Sequence, residues 1–358
     1  MIILALAAAI ANPVGEARSY HDWIVGCDNE GACHATSLDP ETSDGAAATG
    51  NGPVADNRIG LAIQRTAGAR DEPRILLLHC YLCGPEAPDP ATTVSLSVEN
   101  ADGTVLHHMT LQPADIALLN TFDGLPVHYD APLLAALGKG SLLVLRDRSG
   151  TEKAIVSLRG LSDALTFMDS GQYRRGNVTA LIDRGDKAAY LVPPRPPFPA
   201  LSVPPASDLP PGQATAERMH QLRQGAACEG HPDIVPEILH QRLDASHTML
   251  LINSACASYN TSSWVYVIGE DGSVHDADIR VLASSPALEL PQLVTAYWSA
   301  DDRRLHSFGR GRALADCGQA QSFAWDGKSF ILVEERRMDE CRGSLDYITL
   351  YRRETTER

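Results

Sequence analysis

The residues most able to do chemistry at close spacing are His79-Cys80-Tyr81-Leu82-Cys83. Two thiols three positions apart can cycle between dithiol and disulfide when a helix N-terminus and nearby positive charge lower the first thiol's pKa. Here Gly84, Pro85, Pro88 and Pro90 follow, and proline at that density blocks a helix. Cys80 and Cys83 are therefore read as a structural disulfide in a turn between strands. A thiol-disulfide or metal-dependent enzyme using the pair is the alternative. Zinc would need more ligands, and His107, His108 and His128 fall at no ligand spacing. His220, His231, His240 and His247 lack the i, i+4 spacing of a helical metal pair. Asp271, Ser273, Asp276 and Asp278 do not follow the EF-hand loop and read as a polar hairpin. No metal and no cofactor is expected.

Arginine is the remaining candidate chemistry. Gly309-Arg310-Gly311-Arg312 is not a dinucleotide fingerprint, because Leu314 stands at the third glycine position and a strand pattern surrounds it. With Arg303 and Arg304 it concentrates positive charge in an acidic chain. Arg310, Arg312 and Arg342 are the expected contacts for an acidic partner face or an anion. GxSxG, HExxH, SxxK, P-loop and GxGxxG patterns do not occur, so no catalytic residue is assigned and the reading leans away from an enzyme.

The elements that must position these residues are bounded by size and composition. A chain of 358 residues is long for one core and reads as about two domains. With 44% hydrophobic and 21% charged residues it is globular, and a net charge of −15 disfavours nucleic acid as a partner. The apolar start, Met1-Ile2-Ile3-Leu4-Ala5-Leu6, running on to Ala9-Ile10-Ala11, reads as a secretory signal within residues 1–17. Nothing after it reaches transmembrane length. Periplasmic location follows as an expectation. Eight cysteines in an exported chain favour disulfides. Nearest-neighbour order suggests Cys27–Cys33, Cys80–Cys83, Cys228–Cys256 and Cys317–Cys341, one choice among about 105 pairings.

Along the chain the signals are mostly strands. The expected fold is mainly β with a few short helices (α+β): two antiparallel β-rich domains at 18–190 and 213–358, joined by a proline-rich linker at 191–212. Strands are read at 59–65, 74–79, 93–99, 104–111, 141–146 and 153–158. Asp130 and Pro132 cap and start a short helix that Gly138 ends, a second helix runs over 161–174 capped by Ser162, and 178–182 closes the half. The second half opens with helices near 214–224 and 233–243 and then turns to strands. Asp326-Gly327 predicts a type I′ hairpin spanned by Cys317 and Cys341, with Trp325 and Phe330 in the core.

Trp23, Cys27-Asp28-Asn29, Cys33 and Ala35 resemble the opening of a family of exported proteobacterial proteins of unknown function. Ser157-Leu158-Arg159-Gly160-Leu161, Ala164-Leu165 and Met168-Asp169 are similar to the end of its first half, which in turn resembles the invasion-associated locus B proteins. Cys256, Ser258-Tyr259-Asn260, Ala296-Tyr297-Trp298, Asp316-Cys317-Gly318, Trp325-Asp326-Gly327 and Glu340-Cys341-Arg342-Gly343 carry the likeness through the second half. Leu314-Ala315 departs from it where a glycine-containing turn is expected, and the Cys80–Cys83 pair is not a family feature. The resemblance implies a periplasmic, β-rich protein and transfers no catalytic residue. The expected function is a non-enzymatic binding or interaction module of the cell envelope, with an envelope protein or a glycan as partner. A host-interaction role stands as a further alternative by analogy.

Overall fold

The computed structural model describes residues 15–41, 59–79, 93–119, 124–128, 130–196, 200–231, 233–280 and 292–358. Strands dominate, nearly all pairing antiparallel, and the helices are few and short, as the patterning predicts.

The first half is two sheets with a helix. Ala17–Tyr20, Trp23–Cys27, Cys33–Ser37, Ile59–Arg65, Arg74–His79 and Leu125–Val127 pair in that order into one sheet. The second sheet runs Glu152–Ser157, Leu142–Asp147, Thr93–Glu99, Val105–Thr110. Alternating side chains from each meet in one core: Leu61, Ile63 and Leu77 from the first against Leu96, Val98 and Leu145 from the second. The helix Leu161–Gly171 packs on this core with Leu161, Ala164, Leu165 and Met168 buried at i, i+3, i+4 and i+7. Its N-cap is Gly160 at φ +97, not Ser162. A side chain at 160 would collide with the Tyr20 carbonyl oxygen, so close chain approach overrides the serine cap. Asp130 caps Ala131–Leu137 as the sequence predicts, accepting from the Leu133 amide at 2.6 Å.

Residues 178–182 are not a strand. The buried Asp169 carboxylate accepts the Leu181 and Ile182 amides at 2.8 and 3.1 Å and pairs with Arg65 at 2.7 Å. Those amides are thereby withdrawn from any ladder.

In the second half, Glu237–Arg242, Thr248–Ser254, Ser262–Ile268 and Val274–Asp276 form one sheet, with Gln292–Val294 also on Ser262–Ile268. The other sheet orders Ile279–Arg280, Phe330–Met338, Gly318–Trp325, Arg304–Arg310 and Tyr297–Ser299, with Ile348–Arg352 also on Phe330–Met338. Met249, Leu251, Val265, Phe323, Phe330 and Leu332 fill the space between. The helix read over 233–243 is instead the strand Glu237–Arg242. Asp244 Oδ1 accepts the Ser246 and His247 amides, each at 2.8 Å, and this turn folds the segment back onto its partner strand. The Asp326-Gly327 hairpin forms, but with four loop residues, because Trp325 pairs with Phe330. The Asp326 carboxylate accepts the Lys328 and Ser329 amides at 2.8 and 2.7 Å, which widens the two-residue turn.

Between the halves, the proline-rich stretch contributes the strand Leu201–Val203, which runs parallel to Thr355–Glu357 at the far end of the chain.

Candidate functional site

Two of the disulfides stand where the halves meet, and each presents charged residues to the opposite half. Cys27 and Cys33 close a hairpin at an S–S distance of 2.00 Å. Within it Asp28 Oδ1 accepts the Glu30 and Ala32 amides, each at 2.9 Å. That turn points Asn29 at the strand Ile348–Arg352. The Asn29 amide donates to the Arg352 carbonyl at 3.0 Å and its oxygen accepts the Arg352 amide at 2.8 Å, so the side chain imitates a ladder pair. Arg352 Nε lies 2.7 Å from Asp28 Oδ2. Burial outweighs that attraction and pushes the Asp28 carboxyl up. Glu30 is paired with Arg195 from the proline-rich stretch.

The reciprocal contact comes from the second half. Cys317–Cys341 (S–S 1.94 Å) fixes the turn that carries Arg342. The buried Asp316 supports the same turn, accepting the Gly343 amide at 2.8 Å and Arg312 Nε at 2.6 Å. Gly343 adopts φ +78, and a Cβ there would lie 2.5 Å from the Asp39 carboxylate, so glycine lets the two chains close up. Arg342 Nε donates to the Asp39 carbonyl at 2.8 Å, Nη1 to the His21 carbonyl, and Nη2 to Asp22 Oδ1 at 2.6 Å. Asp22 also accepts from Ser157 Oγ at 2.7 Å, the Glu41 amide at 2.9 Å and Arg159. Burial works to raise the Asp22 carboxyl, and these hydrogen bonds together hold it below the usual carboxylate range. Ile24 and Leu38 of the first half pack on Cys317, Met338, Ile348 and Leu350 of the second. His34 Nε2 and Asp346 Oδ2, 2.8 Å apart, form one more bridge. Tyr347 donates to the Ala315 carbonyl at 3.0 Å, and burial pushes its hydroxyl up to about 12.

Beside Arg342 the halves enclose a cleft of about 270 Å³. Its first-half wall combines the aliphatic Ile59, Leu78, Leu142, Ile155 and Val156 with polar side chains, Ser37, Asp39, His79 and Ser157; Ser344, Leu345 and Asp346 supply the opposite wall. Leu345 is 42% exposed, an apolar side chain open to an incoming ligand. Such a cleft can take up an apolar group with a polar end. Its arginine is already engaged within the chain.

The residues picked out from sequence divide clearly. Cys27–Cys33, Cys228–Cys256 and Cys317–Cys341 are disulfides. Cys80 and Cys83, and residues 1–14 of the signal read at 1–17, lie outside the described residues, while Ala17 opens the first strand. Arg342 is buried and held by first-half oxygens, so it joins the halves instead of offering a surface to a partner. Arg312 is tied to Asp316. Arg310 lies over the Phe308 ring at 5.9 Å, with its backbone amide held by Asn260 at 3.0 Å. Sequence reading missed the junction contacts of Asp22, Asn29, Asp39 and Arg352. Their partners in the opposite half are more than 300 positions away, and no local spacing reports that.

A serine–imidazole–carboxylate chain does occur, with Ser322 Oγ 2.9 Å from His306 Nδ1 and His306 Nε2 3.2 Å from Asp302. Ser322 is buried within a strand paired on both sides, and the Tyr297 ring stacks on the imidazole at 4.9 Å. Substrate has no approach to the hydroxyl, so the arrangement is structural. Among the described residues no group of three or more histidine, cysteine, aspartate or glutamate side chains could hold a metal ion.

Comparison with known proteins agrees with a chain of this kind. A family model described as "Protein of unknown function (DUF1176)" matches residues 17–354. The "Uncharacterized protein YpfG" of Escherichia coli (strain K12) is 25% identical over 347 residues, covering 90% of this chain and 88% of that protein. The crystal structure of invasion associated protein b from Bartonella henselae aligns with 44% of this chain and 99% of its own, at 17% identity and a TM-score of 0.29.

Proposed function

The chain belongs to that family of proteins of unknown function, and from this premise we propose that it is a non-enzymatic binding module of the cell envelope, exported to the periplasm. The cleft at the junction of the halves is its ligand site. The observation that carries this reading is the composition of that cleft: five aliphatic side chains of the first half face an exposed Leu345, while Arg342 beside them is engaged in holding the halves together. The three disulfides among the described residues support export, since such bonds persist in oxidising compartments. Among the described residues no helix is long and apolar enough to cross a membrane.

The test is photo-crosslinking in living cells. Benzoylphenylalanine in place of Leu345 is expected to give a discrete adduct, whereas the same probe in place of Tyr190, 83% exposed and away from the cleft, gives none. Equal adducts at both positions, or none at either, overturn the assignment.

A further inference from the structure

One wall of the inter-half cleft is the free edge of a sheet. Glu152–Ser157 is the outermost strand of its sheet and pairs only with Leu142–Asp147. The register sets Ile155 opposite Val144 and Ser157 opposite Leu142. One step further on, the Leu158 amide donates to the Ser141 carbonyl at 2.9 Å. Bonded and non-bonded pairs alternate along an antiparallel ladder, so the N–H and C=O of Ile155 and of Ser157 point away from the partner strand. The Trp23 indole N–H donates to the outward Ser157 carbonyl at 3.0 Å. Among the described residues nothing pairs with the outward N–H and C=O of Ile155, which lines the cleft. On the reading that this cleft is the ligand site, we infer that its ligand is an extended peptide segment of another protein. The segment adds a strand along Ile155 and seats one large apolar side chain in the cleft.

The opening exists because a neighbouring strand leaves its ladder early. The pairing of Cys33–Ser37 with Ile59–Arg65 reaches Thr36 opposite Ala62. Beyond it, Ser37 Oγ accepts the Leu61 amide at 2.9 Å, and the Leu38 amide turns off to the Asp22 carbonyl at 2.8 Å. Ile59 and Gly60 are thereby left without a neighbour on that side, and Gly60 adds no side chain to the lining.

The apolar surface within is available to a ligand. Leu78, Leu142 and Ile155 are each only half-buried, and the exposed Leu345 stands across from them. The volume of about 270 Å³ lies below the roughly 300–1,000 Å³ of sites for drug-sized ligands, which suits a single side chain. In an extended segment the flanking residues point the other way, so one apolar position is enough. A fatty acyl chain could use the same aliphatic wall. It would cover the Ile155 N–H and C=O without offering them partners, a penalty that a peptide backbone avoids.

The experiment uses the full chain. Random heptapeptides with blocked ends are the probes, selected by affinity, and octanoate is the non-peptide control. The selected peptides are expected to share one large apolar residue. A saturating amount of the best of them should slow hydrogen exchange of the Ile155 amide about tenfold or more, while the Val156 amide, already in the ladder, changes little. Methylating the backbone nitrogens of that peptide should weaken binding about tenfold. Ile155→Pro removes the outward N–H without breaking a ladder bond and should weaken binding likewise, with Ile155→Val as the control that keeps the donor. No selected peptide, or a bound peptide that leaves Ile155 exchange unchanged and tolerates methylation, overturns the proposal. Saturable octanoate binding that Leu345→Arg abolishes, with no peptide bound, overturns the peptide and leaves the cleft standing as a ligand site. Peptides that bind Leu345→Arg as tightly as the unaltered chain overturn both.

Discussion

Arg342→Met is expected to lower the unfolding free energy of the whole chain by about 3–5 kcal/mol, the range for removing one partner of a buried ion pair. The Arg342 side chain is 7% exposed and that of Asp22 is 2% exposed, so water cannot replace the lost bonds. The substitution also strips donors from the His21 and Asp39 carbonyls. The control is Arg159→Met. Arg159 touches the same carboxylate, but its side chain is 52% exposed, and exposed pairs contribute about 0–1 kcal/mol. Guanidinium unfolding midpoints measure both. Asp22→Asn combined with Arg342→Met should cost less than the sum of the single changes, since each already breaks the shared contact. Against the raising effect of burial, the Asp22 carboxyl is held down by Ser157, the Glu41 amide, Arg159 and Arg342, and it makes the protein acid-sensitive in a definite direction. The folded Asp22 carboxyl is depressed, so its contribution is complete above the unfolded pKa and is lost as pH falls through the folded value. Ser157 leads the contacts that hold that carboxyl down, so Ser157→Ala should flatten that part of the pH profile more than Arg342→Met does. A loss equal to that of Arg159→Met would show that the buried contact does not join the halves.

The second large effect is expected from the disulfides. Removing Cys317–Cys341 by serine substitution costs about 3–4 kcal/mol from loop closure alone. Cys228–Cys256 closes a loop of similar length, with sequence separations of 28 and 24, so the entropic terms differ by only about 0.1–0.2 kcal/mol. Their positions differ in kind. Cys317 packs in the cluster that joins the halves and Cys341 precedes Arg342, whereas Cys228 contacts Ser254 within the second half. Calorimetry should therefore show a split transition for Cys317→Ser/Cys341→Ser, and a single transition of lower midpoint for Cys228→Ser/Cys256→Ser. Two variants with the same single, lowered transition would remove the junction role of the Cys317–Cys341 bond.

Much of the fold was legible because strand patterning is local. Val94, Leu96 and Val98 alternate in the sequence, and Leu96 and Val98 lie in the core. Asp130 and Pro132 announce a helix that forms as read. The misreadings at 178–182 and 233–243 share one cause, side-chain capture of backbone amides. Asp169 takes the amides of 181 and 182, and Asp244 turns 237–242 into a hairpin strand; neither contact is visible to periodicity. The expectation of glycine near Leu314-Ala315 has a visible basis, since Ala315 adopts φ +60. Three nearest-neighbour cysteine pairings form as disulfides because each closes a short loop between strand ends or turns.

The site was less legible. Arginine is a residue type suited to polar recognition, but Arg342 turns inward, toward oxygens 303 to 321 positions away. A single sequence does not reveal which arginine meets which carboxylate across that distance. Asp28 and Asn29 were noticed as part of a resemblance, and only the fold gives them their task of holding the Ile348–Arg352 strand.

Native-state hydrogen exchange tests the junction most directly. Ile24 and Val25 lie in a first-half strand, and Ile348 and Leu350 lie in the second-half strand packed beside it. If the halves open as one unit, the slow amides of both strands share one opening free energy, equal to that of global unfolding. A strand at 348–352 that exchanges several kcal/mol more easily than the strand at 23–27 would contradict a single joined body with its cleft at the junction.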